Sequence, residues 1–137
     1  MSQSCLITGA TGFVGSHLAE ACLAKGWTVR ALVRAGSDTR ALEKAGVKLL
    51  RGELTDAPAL EAGDGVDVVF HCAARVGDWG PIDEYRAVNV EGLRGLLEAC
   101  KNRPLKRFVL VDGPADAVQL FLSSSVFFVV RSSFIAP

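Results

Sequence analysis

Three glycines spaced three residues apart, Gly9, Gly12 and Gly15, constrain this chain more than any other feature. They sit in the run Ser4-Cys5-Leu6-Ile7-Thr8-Gly9-Ala10-Thr11-Gly12-Phe13-Val14-Gly15-Ser16-His17-Leu18. A short apolar strand enters the glycines and a helical pattern follows at once. Each glycine has its own physical task. Gly9 permits a tight turn. Gly12 lacks the Cβ that would hold a pyrophosphate away from the backbone. Gly15 lets the helix pack closely on the strand. The helix N-terminus then presents unpaired N–H groups and a partial positive charge to an anion. The strand before and the helix after distinguish such a phosphate loop from a glycine-rich turn that binds nothing.

The rest of the chain alternates strand and helix patterns. Residues 3–8 read as a first strand. Val14, Leu18, Ala21 and Cys22 recur at helical spacing between Gly12 and Lys25, and Gly26 ends that helix. Thr28 to Val33 reads as a second strand. Ser37 is placed to cap a helix from Asp38 to Ala45, closed by Gly46. Val47 to Leu50 reads as a third strand, and Thr55 or Asp56 caps a short helix through Leu60. Val66 to His71 is a nearly continuous apolar run, as expected of a parallel strand covered on both faces. A long helix spans Pro81 to Lys101, with Tyr85, Val88, Leu93, Leu96 and Leu97 on its inner stripe. Arg107 to Val111 is a fifth strand. Alternation of this kind builds βαβ units, and right-handed crossovers then give a doubly wound parallel α/β sheet of order 3-2-1-4-5. A ligand is expected where that order reverses, at the carboxyl ends of the first and fourth strands.

Composition narrows the function classes. The 137 residues suffice for one domain with a real core, and the formal net charge is zero. Neither a nucleic-acid surface nor a polybasic membrane surface is indicated. Cys5, Cys22, Cys72 and Cys100 follow no metal-ligand spacing and read as buried free thiols of a reducing, cytoplasmic compartment. The N-terminus lacks the basic start of a secretion signal.

The character of the chain changes near its end. From Phe108 onward there is no Lys and no Glu, and five of the seven Phe fall there. Residues 1–111 are therefore read as one domain and 112–137 as a divergent or out-of-frame tail. A divergent strand, a membrane segment and a truncated or frame-shifted sequence are the three readings of that tail. Leu120 to Val130, followed by Arg131, is too short to span a bilayer, and composition favours the last reading.

The spacing Gly-x-x-Gly-x-x-Gly in Thr8 to Gly15 resembles the fingerprint of the extended short-chain dehydrogenase/reductase superfamily, the NAD(P)-dependent epimerases and dehydratases. The chain looks most like its 3β-hydroxysteroid dehydrogenase-like and dihydroflavonol reductase-like branch. The resemblance covers about residues 3 to 111, the first part of such an enzyme, and implies a Rossmann-like fold that is truncated here. It implies cofactor contacts from Gly9, Thr11, Gly12, Phe13, Val14 and Gly15. Arg34, at the end of the second strand where an acidic residue would bind the ribose of NAD, suits the 2′-phosphate of NADP. Glu53 and Leu54 stand where the family carries an Asp-Leu or Asp-Val pair at the adenine. His71-Cys72-Ala73-Ala74 resembles the family's His-x-Ala-Ala segment, so Ala73 and Ala74 are expected beneath the ribose and diphosphate. His71 itself reads as structural, and His17 as a packing or surface residue. Asn89-Val90-Glu91-Gly92 resembles the Asn-Val-x-Gly segment, in which Asn89 bridges the long helix to its neighbour and Gly92 allows close packing. Ala74 to Gly80, with Arg75, Asp78 and Trp79, is expected near the substrate end.

Catalysis in that superfamily uses a Tyr, a Lys four residues later and a Ser or Thr. The Lys is needed because an unperturbed Tyr titrates near ~10. The only Tyr here is Tyr85, followed four residues on by Asn89, and the last Lys is Lys106. The fifth strand runs into Asp112-Gly113-Pro114 rather than serines, although Ser124 would take the Ser position if 108–119 were an insertion. No catalytic residue is therefore assigned. Two readings stand: the NAD(P)-binding portion of an epimerase/dehydratase-type oxidoreductase acting on a small molecule in a full-length relative, or a non-catalytic dinucleotide-binding or interaction module. A third is a misfolding fragment without activity. The sequence does not fix the oligomeric state.

Overall fold

The computed structural model describes residues 2–56, 64–73, 75, 79–101, 103–112 and 127–131. Its centre is a parallel sheet of order β3-β2-β1-β4-β5-β6, built from β1 (Ser4–Thr8), β2 (Thr28–Val33), β3 (Lys48–Arg51), β4 (Val68–His71), β5 (Arg107–Asp112) and β6 (Phe127–Arg131). The helices are α1 (Phe13–Ala24), α2 (Arg40–Ala45), and a continuous run of α3 (Ile82–Arg86), a π-helical turn (Ala87–Gly92) and α4 (Leu93–Cys100).

The period-two geometry of the strands sorts their side chains onto two buried faces. Cys5 and Ile7 of β1, Val29, Ala31 and Val33 of β2, Val68 of β4 and Val109 of β5 pack with Ala19 and Cys22 of α1 and Leu42 of α2. Their neighbours Leu6, Leu32, Leu50, Val69 and Phe108 pack with Leu96 of α4. Both faces are covered, which is why the strands read as apolar runs. Among the described residues, no helix is long and apolar enough to cross a membrane.

The expected order 3-2-1-4-5 is present and is extended by one strand. Phe127–Arg131 pairs parallel to β5, with Phe108 opposite Phe127 and Asp112 opposite Arg131. The change in composition near residue 112 therefore does not end the sheet. Three local expectations are corrected. Helix α1 turns Gly15, Ala19 and Cys22 inward, whereas Val14 and Ala21 are exposed, because it seats on the glycine loop through small residues. Helix α2 begins at Arg40 rather than Asp38. The Asp38 carboxylate accepts the Arg40 backbone N–H and pairs with the Arg40 guanidinium, and Ser37 donates its backbone N–H to the Arg34 carbonyl instead of capping. The second strand ends at Val33, so Arg34 follows it. Of the four thiols, Cys5 and Cys22 are buried and Cys72 and Cys100 only half-buried; all are free. The short helix expected through Leu60 lies largely outside the described residues, as does Ser124.

Candidate functional site

The carboxyl ends of β1 to β4 open into one groove of about 720 Å³. Its floor is the turn after β1. Gly9 has φ +70°, and a Cβ there would lie 2.7 Å from the Ala73 nitrogen. A Cβ on Gly15 would lie 2.1 Å from the Gly9 carbonyl oxygen, so this glycine serves contact with the loop itself. Gly12 differs: among the described residues, a Cβ there meets only the Gly9 carbonyl oxygen, at 3.3 Å. The space beside it is open.

The same turn sets the start of α1. The Gly12 N–H is used by the Gly9 carbonyl, and the first intrahelical bond runs from Ser16 N–H to the Gly12 carbonyl. The amides of Phe13, Val14 and Gly15 precede that bond. No side chain caps the helix and its first turn holds no acidic residue. An uncapped helix N-terminus of this kind attracts negative charge. Any part played by Phe13 and Val14 is through their backbone, because both side chains project into solvent. The Phe13 ring leans on His17, 4.6 Å away, and His17 Nδ1 donates to the Phe13 carbonyl.

One end of the groove is formed by Val33, Arg34 and Ser37 after β2 and by Gly52, Glu53, Leu54 and Thr55 after β3. Among the described residues the Arg34 guanidinium has no hydrogen-bond or ion-pair partner. Leu54 also fixes the long helix. A Cβ on Gly92 would lie 3.0 Å from Leu54 Cδ1, and one on Gly95 would lie 3.3 Å from the Leu54 carbonyl. Gly92 thus permits the close approach expected of it.

The opposite end is built from Cys72, Ala73, Arg75 and Trp79 after β4 and from Tyr85, Ala87 and Val88 of the long helix. Asn89 does not line the groove, but its amide brackets the backbone of Arg75. Arg75 N–H donates to Asn89 Oδ1 at 2.8 Å, and Asn89 Nδ2 donates to the Arg75 carbonyl at 3.0 Å. The Arg75 side chain pairs with Glu84 and lies over the Tyr85 ring, 5.2 Å from its centroid. Tyr85 O–H donates to the Trp79 carbonyl at 2.9 Å. Ala74 and Asp78 lie outside the described residues.

Two groups near this end lack nucleophile or base character. Burial pushes the Cys72 thiol up to about 11, so it stays protonated at neutral pH. His71 is 3% exposed, and burial lowers its imidazole to about 4. Its Nδ1 lies 2.7 Å from Thr8 Oγ1. Thr8 is the residue that sequence reasoning quoted without giving it a role. Its only signal was a polar side chain closing an apolar strand, and its partner is 63 residues away.

Of the expected contacts, the structure brings Gly9, Thr11, Arg34, Glu53, Leu54 and Ala73 to the groove wall. Among the described residues, no cluster of His, Cys, Asp and Glu is arranged to hold a metal.

This geometry has known counterparts. Residues 5–113 match the NAD dependent epimerase/dehydratase family. The 2-alkyl-3-oxoalkanoate reductase of Stenotrophomonas maltophilia is 38% identical over 111 residues, covering 80% of this chain and 33% of that protein. The 3 beta-hydroxysteroid dehydrogenase/Delta 5→4-isomerase of Mycobacterium tuberculosis is 40% identical over 112 residues, 76% of this chain and 30% of that one. Among solved structures, the Bordetella bronchiseptica enzyme WbmG in complex with NAD superposes with a TM-score of 0.73 at 28% identity, over 83% of this chain and 38% of WbmG. A short-chain dehydrogenase/reductase superfamily protein from Agrobacterium tumefaciens with bound NAD gives 0.67 at 35% identity, over 81% of this chain and 33% of that one. The chain spans about a third of the length of these curated relatives. From the match over residues 5–113 and the sheet that carries it, the chain belongs to the NAD dependent epimerase/dehydratase family.

Proposed function

We propose that the groove binds a nicotinamide dinucleotide and that the chain is the cofactor-binding portion of an oxidoreductase or epimerase. The observation that carries this is the open space at Gly12, set against an uncapped helix N-terminus. The amides of residues 13–15 and the bare backbone of Gly12 would hold the pyrophosphate. Arg34, Glu53 and Leu54 would hold the adenosine, and Ala73, with Ala74 next to it, would underlie the second ribose. When bound, the cofactor supplies a hydride carrier. The chain's own contribution is to fix its pyrophosphate and aim its far end at Arg75, Trp79 and Tyr85.

Arg34 supports NADP as the preferred form. Its guanidinium stands at the groove wall without a described partner, and no carboxylate occupies the end of β2. The relatives' substrates suggest a small carbonyl or alcohol compound for a full-length counterpart. One observation favours the second reading, a dinucleotide-binding module without turnover: Tyr85 is followed four residues on by Asn89 rather than Lys. General acid–base assistance is typically worth about 10²–10⁴-fold, and this chain assigns no residue to it.

Calorimetric titration with NAD and NADP tests the site. The wild-type chain is expected to bind both. Gly12→Val fills the open space and should abolish binding while leaving the circular dichroism spectrum unchanged. Equal affinity in that variant refutes the site. A turnover assay with carbonyl and alcohol substrates separates the two readings, since the non-catalytic module predicts no rate.

A further inference from the structure

Thr8 and His71 are two of the few polar side chains buried among the described residues. They lie opposite each other in the β1–β4 register, with Thr8 Oγ1 2.7 Å from His71 Nδ1. The same hydroxyl accepts the Ala73 backbone N–H at 3.2 Å. A hydroxyl that accepts from an amide still has its own hydrogen to donate, and a neutral imidazole nitrogen can take it. On the β5 side His71 lies opposite Leu110 in the register, the Phe108 ring is 6.4 Å from the imidazole, and the next residue along the chain is the protonated Cys72 thiol. Burial keeps the imidazole neutral and able to accept.

Placement gives this pair a consequence. Ala73 is where the groove wall touches the glycine turn, within 2.7 Å of an added Gly9 Cβ. Two residues later, Asn89 holds both backbone groups of Arg75. The wall is therefore tied at Ala73 from beneath and at Arg75 from the helix. An apolar pair of equal shape would fill the core, but it would leave the Ala73 N–H without its acceptor and so release Ala73.

We propose that Thr8 and His71 form a positioning pair for the dinucleotide, holding Ala73 against Gly9 and so setting the width of the groove where the strand order reverses. The proposal rests on the reading of the groove as a dinucleotide site.

The test titrates NAD and NADP into the whole chain carrying Thr8→Val, Thr8→Ser, His71→Leu or His71→Asn, with melting curves in parallel. Thr8→Val and His71→Leu should weaken binding about tenfold. Thr8→Ser and His71→Asn keep a polar atom in place and should stay within about threefold of wild type. Unchanged affinity of folded Thr8→Val and His71→Leu, whatever their melting temperature, overturns the pair. Should both fail to fold, nitrogen resonances of the wild-type imidazole decide. A neutral ring unprotonated at Nδ1 down to pH 5 supports the pair, and titration near the ordinary ~6.5 overturns it. Wild-type chain that binds neither dinucleotide overturns the site reading and the pair together. Wild-type binding that Gly12→Val abolishes and Thr8→Val leaves intact overturns the pair alone.

Discussion

The two ends of the sheet share the same strands and the same apolar core but close in opposite ways. At the amino end, polar groups are spent on one another. Asp67 Oδ2 accepts Ser4 N–H at 2.9 Å and the Ser4 hydroxyl at 3.2 Å, while Lys106 Nζ lies 3.1 Å from Asp67 Oδ1. The Asp67 carbonyl accepts Lys106 N–H at 2.8 Å. Three strand entries, β1, β4 and β5, are thereby laced through one residue. At the carboxyl end the helix amides of residues 13–15 are left uncapped, Gly12 faces space, and Arg34 stands without a described partner. Among the described residues, Ser4, Asp67 and Lys106 pair with one another at the amino end, whereas the carboxyl end carries the groove and the uncapped helix amides. Stability and binding are thus separable, and substitutions at the two ends should show it.

The largest effect is expected at Gly15. Its added Cβ would sit 2.1 Å from a backbone oxygen, a contact that no side-chain rotation relieves. Gly15→Ala should displace the whole turn, lowering the melting temperature and eliminating dinucleotide binding together. A variant that keeps both would show that α1 slides freely on the loop.

Acid should undo the carboxyl end before the amino end. His71 has a folded value of about 4, below its unfolded ~6.5, so below pH 6.5 the unfolded chain binds the extra proton. Stability should fall as pH drops from about 6.5 to 4, by up to about 3 kcal/mol. Asp67 acts lower on the scale. The Ser4 amide, with Lys106 second, holds its carboxyl below the ordinary ~3.9. That contribution is present above the unfolded value and is lost only as pH falls through the folded one. Urea melts across pH 3–8 should show the first loss vanish in His71→Asn and persist in Asp67→Asn.

Next in size is Arg34→Ala, expected to weaken NADP about tenfold and leave NAD nearly unchanged, since one charge-assisted contact is worth about 1.5–3 kcal/mol. Equal losses for both cofactors, measured by calorimetry, would remove Arg34 from 2′-phosphate recognition. The smallest effect belongs to Asp67→Asn. It should lower the melting temperature slightly and leave the dissociation constant untouched. A change in affinity there would mean that the two ends communicate.

Much of this contrast was legible in the sequence because it rests on local chemistry. Gly9 to Gly15 and Gly26 bound α1, and the apolar runs marked β1 to β5 to within two residues at each end. On α1, Leu18 and Cys22 face the core as their spacing indicated, but hydropathy also weighted the exposed Val14 and Ala21, whereas close packing selects Gly15 and Ala19 for their size. The start of α2 was misread because Asp38 turned its carboxylate to Arg40. The π-helical turn at Ala87–Gly92 has no pattern of its own, and it lies where the helix must meet both Leu54 and Arg75. The sixth strand was obscured by a change in composition, since pairing across the sheet is decided by a neighbour rather than by the residues before it. The Thr8–His71 bond, like the Asp67–Ser4 bond, joins residues 63 positions apart and leaves no mark on either stretch alone.

The chain has two indoles, and they occupy opposite settings. Trp27 is tucked beside Phe70, 6.4 Å between rings, while Trp79 is 92% exposed on the groove wall with its carbonyl held by Tyr85. Emission from such a pair is already sorted into a blue, sheltered component and a red, solvent-facing one. Arrival of a ligand at the far end of the groove should dim the red component alone. Under the proposed binding, the red component becomes an optical gauge of the groove, and a Trp79→Phe variant supplies the blank.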